Sequence, residues 1–98
     1  MKDIIKNINK AFDHRIRLGI MSVLMVNENA DFTTLKELLG VTDGNLASHI
    51  KALETENYIN VEKQFISKKP NTKYSITPLG KYAFQEHIGA LEKLIKNN

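Results

Sequence analysis

The sequence predicts one mainly α-helical domain with a small β-hairpin, which is an α+β fold. Three observations lead to this fold class. Apolar residues recur every three to four positions over most of the 98 residues, which is the spacing of amphipathic helices. Two short runs of alternating apolar and polar residues, within 59–65 and 73–76, flank a group of turn residues, as expected of a hairpin. No repeat or Pro/Gly/Ser-rich linker divides the chain, so we predict a single domain over residues 1–98.

The composition excludes several classes of function. The chain has no cysteine, which rules out disulfides, cysteine-metal sites and thiol catalysis. Charged residues interrupt every apolar run at the amino end, and no apolar stretch approaches the ~18 residues that span a bilayer. We therefore expect a cytoplasmic protein without a membrane partner. A chain this short forms one modest core with little room for a deep pocket, so we do not expect an enzyme.

Charge is unevenly distributed along the chain. Residues 1–60 carry seven Lys/Arg and eight Asp/Glu, whereas residues 61–98 carry seven and three. Five lysines and no acidic residue lie between Lys63 and Lys81 inclusive. A locally basic stretch on a near-neutral chain favours a patch that meets an anion, most often a nucleic-acid backbone. The alternative is a solvated, lysine-rich surface.

The amino-terminal third predicts helices. A helical stripe is formed by Ile4, Ile5, Ile8 and Phe12 and is continued by Ile16, Ile20, Val23 and Leu24. Asp13 is a candidate cap for a second helix, which ends around residues 27–30. Residues 31–33 are too short for more than a brief extended piece.

Residues 34–56 predict two helices joined by a tight turn. Thr34 and Glu37 have the spacing of a capping box, and Gly40 stands where a left-handed residue ends a helix. Thr42 is a good N-cap for a longer helix that runs to about Glu56. Two helices with this connection form a helix-turn-helix. The alternative is an ordinary helical hairpin.

The second of these helices has two contrasting faces. A buried stripe is predicted for Leu46, Ile50 and Leu53. The opposite face is small or polar and carries no acidic residue; it consists of Gly44, Ser48, Lys51 and Thr55, with Asn45 and Ala52 on its flank. Such a face suits the major groove, since small residues permit close approach and Asn pairs with adenine edges.

A basic hairpin follows directly. Its tip is predicted over residues 67–72, where Pro70 and Asn71 are turn residues and Lys68 and Lys69 supply charge. A basic hairpin over about 59–76, directly after a helix-turn-helix, is the wing of a winged helix. We expect the helix over 43–56 to enter the major groove and the segment 67–73 to lie along the backbone or in the minor groove.

The last segment predicts a long helix over about 78–96. Thr77 is a natural N-cap, and Pro78 suits the first helical position. Two adjoining apolar stripes give this helix more apolar surface than one small core can bury. We interpret the remaining apolar surface as a dimer surface shared with the amino-terminal helix. The expected interface residues are Ile4, Ile5, Ile8, Phe84, Ile88, Leu91, Leu94 and Ile95. The alternative is that both helices fold over the core of a monomer.

The candidate DNA-binding residues come from three segments. They are Thr33, Thr34, Gly44, Asn45, Ser48, His49, Lys51, Lys68, Lys69, Asn71, Thr72 and Lys73. Gly44, Asn45 and Ser48 are expected to read bases, and Lys51 to contact phosphate. His49 is expected to pack partly and to contact phosphate. Asp43 suits the helix dipole better than a base.

Other chemistries have no support in the sequence. The three histidines share no metal-ligand spacing, and neither a nucleophile elbow nor a phosphate-binding loop is present. We therefore expect no metal and no cofactor. Arg15 and Arg17 are interpreted as surface or dimer-contact residues. A winged helix that serves only as a protein-interaction module remains the alternative to DNA binding.

In order and at normal spacing, residues 13–21, 32–40, 42–54, 63–65, 69–74 and 77–81 resemble winged-helix regulators of the MarR/ArsR type, particularly the small stand-alone domains. The resemblance covers nearly the whole chain. It implies a homodimer that places two recognition helices in successive major grooves of a palindromic operator and regulates transcription, with repression the expected role. The chain lacks the cysteines that ArsR-type metal sensors commonly use and the longer helices that hold ligands in larger MarR-type proteins. The effector is therefore left open.

Overall fold

A computed structural model describes residues 1–96. Over these residues five α-helices and one 3₁₀ helix surround a three-stranded antiparallel sheet, which confirms the predicted α+β class. The elements are α1 Lys2–Lys6, the 3₁₀ helix Lys10–Phe12, α2 Arg15–Val26, β1 Ala30–Asp31, α3 Phe32–Leu39, α4 Asp43–Thr55, β2 Ile59–Ile66, β3 Lys69–Ile76 and α5 Pro78–Lys96. Within the described range, none of the helices combines the length and the apolar character needed to span a membrane.

The amino-terminal apolar stripe is not one continuous helix. α1 ends at Lys6, so Ile8 lies in the connection that follows it. The side chain of Asn9 accepts a hydrogen bond from the Ala11 N–H and caps the 3₁₀ helix. Asparagine side chains compete with helical hydrogen bonding in this way, which explains why a stripe with helical spacing is broken here.

Two helix starts differ from the predicted ones. His14, not Asp13, caps α2: its Nδ1 accepts from the Ile16 N–H at 3.2 Å. α3 begins at Phe32, three residues before the start predicted with Thr34 as N-cap, because Asp31 Oδ1 accepts from the Thr34 N–H at 2.8 Å. This arrangement replaces the expected capping box of Thr34. Hydrogen bonds from Thr34 hold the pKa of Asp31 below its usual value.

Three predicted helix boundaries agree with the structure. Gly40 ends α3 with φ 62° and ψ 44°, a left-handed conformation that glycine adopts without a Cβ penalty. Thr42 Oγ1 accepts from the Asn45 N–H at 3.2 Å at the start of α4. Thr77 Oγ1 accepts from the Gly80 N–H at 2.8 Å at the start of α5.

The hairpin spans the predicted residues 59–76, but its strands are longer and its turn is tighter than predicted. β2 and β3 pair from Ile59 opposite Ile76 to Ile66 opposite Lys69, so the loop is only Ser67–Lys68. Both loop residues have positive φ, 51° and 66°, as in a type I′ turn. Asn71, Thr72 and Pro70, which were expected in the tip, therefore lie in β3.

Pro70 is compatible with its strand because of its register. The pair that flanks a two-residue loop is hydrogen-bonded, and such pairs alternate with non-bonded ones. Pro70 is opposite Phe65, one position further, so its missing N–H faces the outer edge of β3. β1 pairs only with Tyr74 and Lys73, and this edge is open at Pro70.

The core lies where α2, α3, α4 and α5 meet the base of the sheet. Its buried side chains include Phe12, Ile16, Ile20, Met21, Leu24, Leu35, Leu46, Ile50, Leu53, Ile59, Tyr74 and Phe84. Phe12 is fully buried, with its ring centroid 5.1 Å from that of Tyr58 and 5.3 Å from those of Phe84 and His87. Phe84, which was expected at a dimer surface, is only 5% exposed and belongs to this core.

Gly80 allows α5 to cross close to the backbone of the preceding segment. A Cβ at this position would lie 2.1 Å from the Tyr58 carbonyl oxygen. The Thr77 N–H donates to the same oxygen at 3.0 Å. Together these contacts fix α5 against the segment between α4 and the hairpin.

His87 ties the amino-terminal segment to α5. Its Nδ1 accepts from the Asn9 N–H at 2.9 Å, and the side chain is 2% exposed. Burial lowers the pKa of His87, and the negative charge of Asp13 opposes this effect. The neutral ring is therefore the form that the folded protein stabilises.

Candidate nucleic-acid interface

The outer face of α4 is small, polar and open. Gly44, Asn45, Ser48 and Lys51 are all exposed, whereas the apolar stripe that the sequence predicted on the opposite face is buried. A Cβ on Gly44 would meet no atom within 4 Å. These four side chains therefore form one exposed surface, which we call the α4 face.

The acidic residue at the start of α4 is engaged with the preceding helix. Asp43 Oδ1 lies 2.9 Å from Lys36 Nζ of α3. Asp43 is also in the first turn of α4, where a negative charge favours the helix dipole. Both contacts agree with the structural role expected for Asp43.

A cluster of basic side chains sits where α2 meets α4. Arg17 Nε donates to His49 Nδ1 at 3.0 Å, and Arg17 Nη1 donates to the Ala11 carbonyl at 3.3 Å. The His14 and His49 ring centroids are 4.0 Å apart. Arg17 is half-buried and holds α4 through His49, a role that the sequence analysis missed. Because the two residues lie 32 positions apart, no local pattern could have revealed their pairing.

The Arg17 hydrogen bond also orients the ring of His49. Since Nδ1 accepts, the neutral ring carries its proton on Nε2. Desolvation, followed by electrostatic interactions with His14, Arg17 and Arg15, holds the pKa of His49 below its ordinary value. His49 is thus a neutral donor in a basic environment.

A groove separates α4 from the hairpin. Its walls are Ala47, Ile50, Lys51 and Glu54 of α4, Val61 and Lys63 of β2, Thr72 and Tyr74 of β3, and Phe32. The hairpin face that carries Val61 and Thr72 therefore faces α4. Burial, and then the charge of Glu54, raise the pKa of Tyr74 in this groove.

The basic residues of the hairpin lie on different parts of it. Lys68 is in the two-residue turn, and Lys69 is the first residue of β3. Lys63 is opposite Thr72 on the face toward α4. Lys73 is opposite Glu62, and Asn71 is opposite Gln64, on the other face. The structure thus brings Lys63 and Thr72 close to the α4 face and turns Asn71 and Lys73 away from it.

The two threonines of α3 are exposed in its first turn. The N–H of Thr34, a candidate DNA-binding residue, donates to Asp31 and is therefore engaged within the protein. Thr33 remains exposed at the surface.

The hairpin also presents an aromatic side chain, which belongs to the alternating run of residues 59–65. Phe65 is 80% exposed. It lies on the same strand face as Val61 and Lys63, but it is not among the residues that line the groove toward α4. Its cross-strand neighbour is Pro70.

The residues expected at a dimer surface lie together at the other end of the molecule. α1 packs against α5. Ile5, Ile88 and Ile95 are exposed there, whereas Ile4, Ile8, Leu91 and Leu94 are half-buried. The described residues contain no group of three or more His, Asp or Glu side chains that could hold a metal ion.

A helix-turn-helix whose second helix is exposed, followed by a basic hairpin across a shared groove, defines the class of winged-helix DNA-binding proteins. The model of the winged helix DNA-binding domain matches residues 16–95. The chain therefore belongs to the winged-helix DNA-binding domain family.

Two proteins are similar to nearly the whole chain. An uncharacterized protein of Methanocaldococcus jannaschii is 36% identical over 88 residues, which cover 90% of this chain and 96% of that one. The solved structure of a transcriptional regulator homologue from Pyrococcus horikoshii OT3 has a TM-score of 0.86 and 31% identity, and covers 98% of this chain and 93% of that chain.

More distant neighbours are regulators of the MarR and ArsR families. A MarR-family protein from Porphyromonas gingivalis W83 has a TM-score of 0.70 and 20% identity, covering 91% of this chain and 86% of that one. An ArsR family transcriptional regulator has a TM-score of 0.64 and 16% identity, and the match covers 100% of this chain and 96% of that one. At these identities the likeness concerns the fold. The chain therefore shares the winged-helix fold of MarR and ArsR regulators, in agreement with the fold that the sequence resemblance implied.

The two histidines with lowered pKa values predict a pH-dependent stability. The unfolded chain binds protons at His49 and His87 more readily than the folded protein, so acidification favours unfolding. The stabilisation of the folded protein by these two neutral rings is fully present above the ordinary histidine pKa, ~6.5. It is lost as the pH falls through the lower pKa values that the two histidines have in the folded protein. We expect the urea concentration at the midpoint of unfolding to decrease when the pH is lowered from about 7 to about 5. His87→Gln, whose amide oxygen can accept from Asn9, should flatten this dependence; an unchanged slope in His87→Gln and His49→Gln would contradict the assignment.

Proposed function

We propose that the protein is a homodimeric transcriptional regulator that binds double-stranded DNA sequence-specifically and acts as a repressor. The observation that carries this proposal is the α4 face, which has no carboxylate and stands beside a lysine-bearing hairpin across one groove. In this arrangement α4 enters the major groove while the hairpin follows the neighbouring backbone or minor groove.

The α4 face supports readout of base edges. Asn45 is exposed one helical turn from Ser48, so its amide can donate to and accept from an adenine edge. Ser48 is more permissive. Gly44 lets the helix backbone approach closely, and Lys51 contacts phosphate at the edge of the groove.

The orientation of His49 supports a phosphate contact. Arg17 occupies Nδ1, so the Nε2–H is the group left for an external acceptor. The surrounding positive charges of Arg15 and Arg17 attract the same anion. Arg17 is a positioning residue in this proposal, because it acts through His49.

The shape of the protomer supports a dimer. Its radius of gyration is 14.7 Å, whereas a compact domain of this length has about 12.6 Å. α5 accounts for part of this elongation, since its 19 residues extend about 28 Å. Ile95 is 79% exposed at its end. Apolar residues on an extended helix beside α1 are suited to a second copy of the chain.

The first experiment is fluorescence anisotropy with a duplex from the protein's own upstream region and a scrambled duplex of equal length, each titrated across salt. A steep fall of log K with log salt, about −0.9 per phosphate contact, is expected for both duplexes. Tighter binding of the upstream duplex is expected of a self-regulating repressor. The absence of binding to both at low salt would favour a protein-interaction module.

Light scattering at micromolar concentration tests the dimer separately. A mass twice the 11.1 kDa of one chain is expected. A mass of one chain would contradict the dimer but leave DNA binding by single protomers open to the anisotropy measurement.

Gly44→Ala is expected to stabilise the protein and weaken DNA binding. Alanine is better than glycine in a helix by about 0.5–1 kcal/mol, and a Cβ on Gly44 meets nothing in the free protein. In the complex the same methyl group holds α4 away from the DNA, and we expect about tenfold weaker binding, or ~1.4 kcal/mol. Anisotropy and thermal unfolding measure the two effects.

Gly89→Ala is the matched control for this prediction. Gly89 lies in α5, away from the α4 face, and a Cβ there also meets nothing within 4 Å. Gly89→Ala should raise the free energy of unfolding by a similar amount to Gly44→Ala, without changing the affinity for the duplex. If Gly44→Ala binds DNA as tightly as the wild type, α4 does not approach DNA through Gly44.

A further inference from the structure

We infer that Phe65 is an apolar wedge that enters the minor groove of bound DNA and bends it, an inference that rests on the proposed function. The side chain is the most exposed aromatic ring of the described residues, at 80%. A ring of this size left in water needs an explanation, because aromatic side chains are among the strongest contributors to binding energy when they are buried.

The position of Phe65 on the hairpin determines which surface it meets. It lies on the same strand face as Val61 and Lys63, and these two residues line the groove toward α4. Phe65 continues that face beyond the end of the groove. A phosphate backbone that follows this groove beside α4 therefore meets Phe65 next along the hairpin.

The immediate neighbours of Phe65 are suited to DNA. Pro70 is its cross-strand partner, Lys63 precedes it on the same face, and Lys68 and Lys69 follow at the turn. No acidic residue occurs between Lys63 and Lys81. An apolar ring framed by lysines is complementary to a minor groove, whose edges are phosphates and whose floor presents base and sugar atoms.

The hairpin can hold the ring in place. Pro70 has a fixed φ and sits at a non-hydrogen-bonded pair, where facing side chains are closest. The two-residue turn keeps the register of β2 and β3 up to Ile66 and Lys69. A ring on such a support resembles in chemistry the apolar wedges that partly unstack a base step and kink the duplex.

Three variants test the inference in the full-length protein. Phe65→Ala removes the ring, Phe65→Leu keeps an apolar wedge, and Val26→Ala removes apolar surface from a side chain of similar exposure, 82%, at the end of α2. We expect Phe65→Ala to weaken duplex binding by about tenfold. Phe65→Leu should recover most of that loss, and Val26→Ala should bind as the wild type does.

The salt dependence separates this role from that of the lysines. Phe65 releases no counterions, so Phe65→Ala should lower the affinity at every salt concentration without changing the slope of log K against log salt. Energy transfer between dyes on the two ends of a short duplex should report a smaller bend with Phe65→Ala than with the wild type.

A tryptophan variant gives a direct signal. The chain contains no tryptophan, so Phe65→Trp creates a single reporter. Its emission should be accessible to acrylamide in the free protein, and should be quenched by base contact and protected from acrylamide when the duplex is added.

The outcomes distinguish this inference from the proposed function. Lysine-dependent duplex binding that Phe65→Ala leaves unchanged in affinity and bend would overturn the wedge alone. A loss of dimer mass in Phe65→Ala would assign the ring to a contact between copies and also overturn it. Failure of the wild type to bind either duplex would overturn the proposed function together with the wedge.

Discussion

Reversing the charges of Lys68 and Lys69 to glutamate is expected to cause the largest loss of DNA affinity among the substitutions considered. Lys68 lies in the turn of the hairpin and Lys69 directly after it. Loss of two phosphate contacts makes the negative slope of log K against log salt less steep by about 1.8 for each wing. For a dimer that uses both wings, the slope becomes less steep by about 3.6. Near 0.15 M salt this corresponds to about 30-fold weaker binding per wing before the added repulsion.

A control with the same change in net charge is available in α1. Lys2→Glu/Lys6→Glu reverses two exposed lysines on a different element. If DNA binding depended only on overall charge, both double variants would lose affinity equally. Circular dichroism and thermal unfolding should show both variants folded, because the four side chains are exposed. Unchanged affinity and slope in Lys68→Glu/Lys69→Glu would rule out the wing as a DNA contact.

Phe12→Ala is expected to have the largest effect on stability. Phe12 is fully buried, and its ring lies near those of Tyr58, Phe84 and His87. Removing such a ring costs about 3–5 kcal/mol, since the neighbours collapse only partly into the cavity. The total free energy of unfolding of a small domain is only about 5–15 kcal/mol. We expect the Tm to fall by at least about 12 °C, at roughly 4–8 °C per kcal/mol.

Phe65→Ala is the matched control, because the same atoms are removed from an exposed position. It should change the free energy of unfolding by no more than about 0.5 kcal/mol. The pair of variants therefore separates the two uses of phenylalanine in this chain: one organises the core and the other faces solvent. A Phe12→Ala protein that unfolds with nearly wild-type urea midpoint and slope would contradict the central place of Phe12 in the core.

Several features of the fold were predictable because they depend on neighbours in sequence. The turn at Gly40, the caps at Thr42 and Thr77, and the alternating strands all arise from interactions within a few residues. The apolar stripe of α4 predicted which side is buried, and so predicted the exposed α4 face. The errors were also local. Asp31 and Thr34 are both residue types that cap helices well. The capping-box spacing therefore pointed to Thr34 as the N-cap of α3, whereas the structure uses Asp31.

The features that depend on distant residues could not be predicted in this way. The excess of apolar residues on α5 indicated an interface but did not separate Phe84, which is in the core, from Ile95, which is exposed. The partition depends on which face of α5 rests on Phe12 and which side of it α1 covers. The pairing of Arg17 with His49 likewise exists only because α2 crosses α4.

Local pattern was thus sufficient for the class of protein, since helix periodicity, turn residues and the order of elements are written in short stretches of chain. The tertiary structure alone decided which side chains of those elements are available to a partner. Burial depends on contacts between segments far apart in sequence, and periodicity assigns a side chain to a face without saying how far that face is covered. Phe12 and Phe65 illustrate the difference: both belong to apolar patterns, but only Phe12 has neighbouring elements on every side.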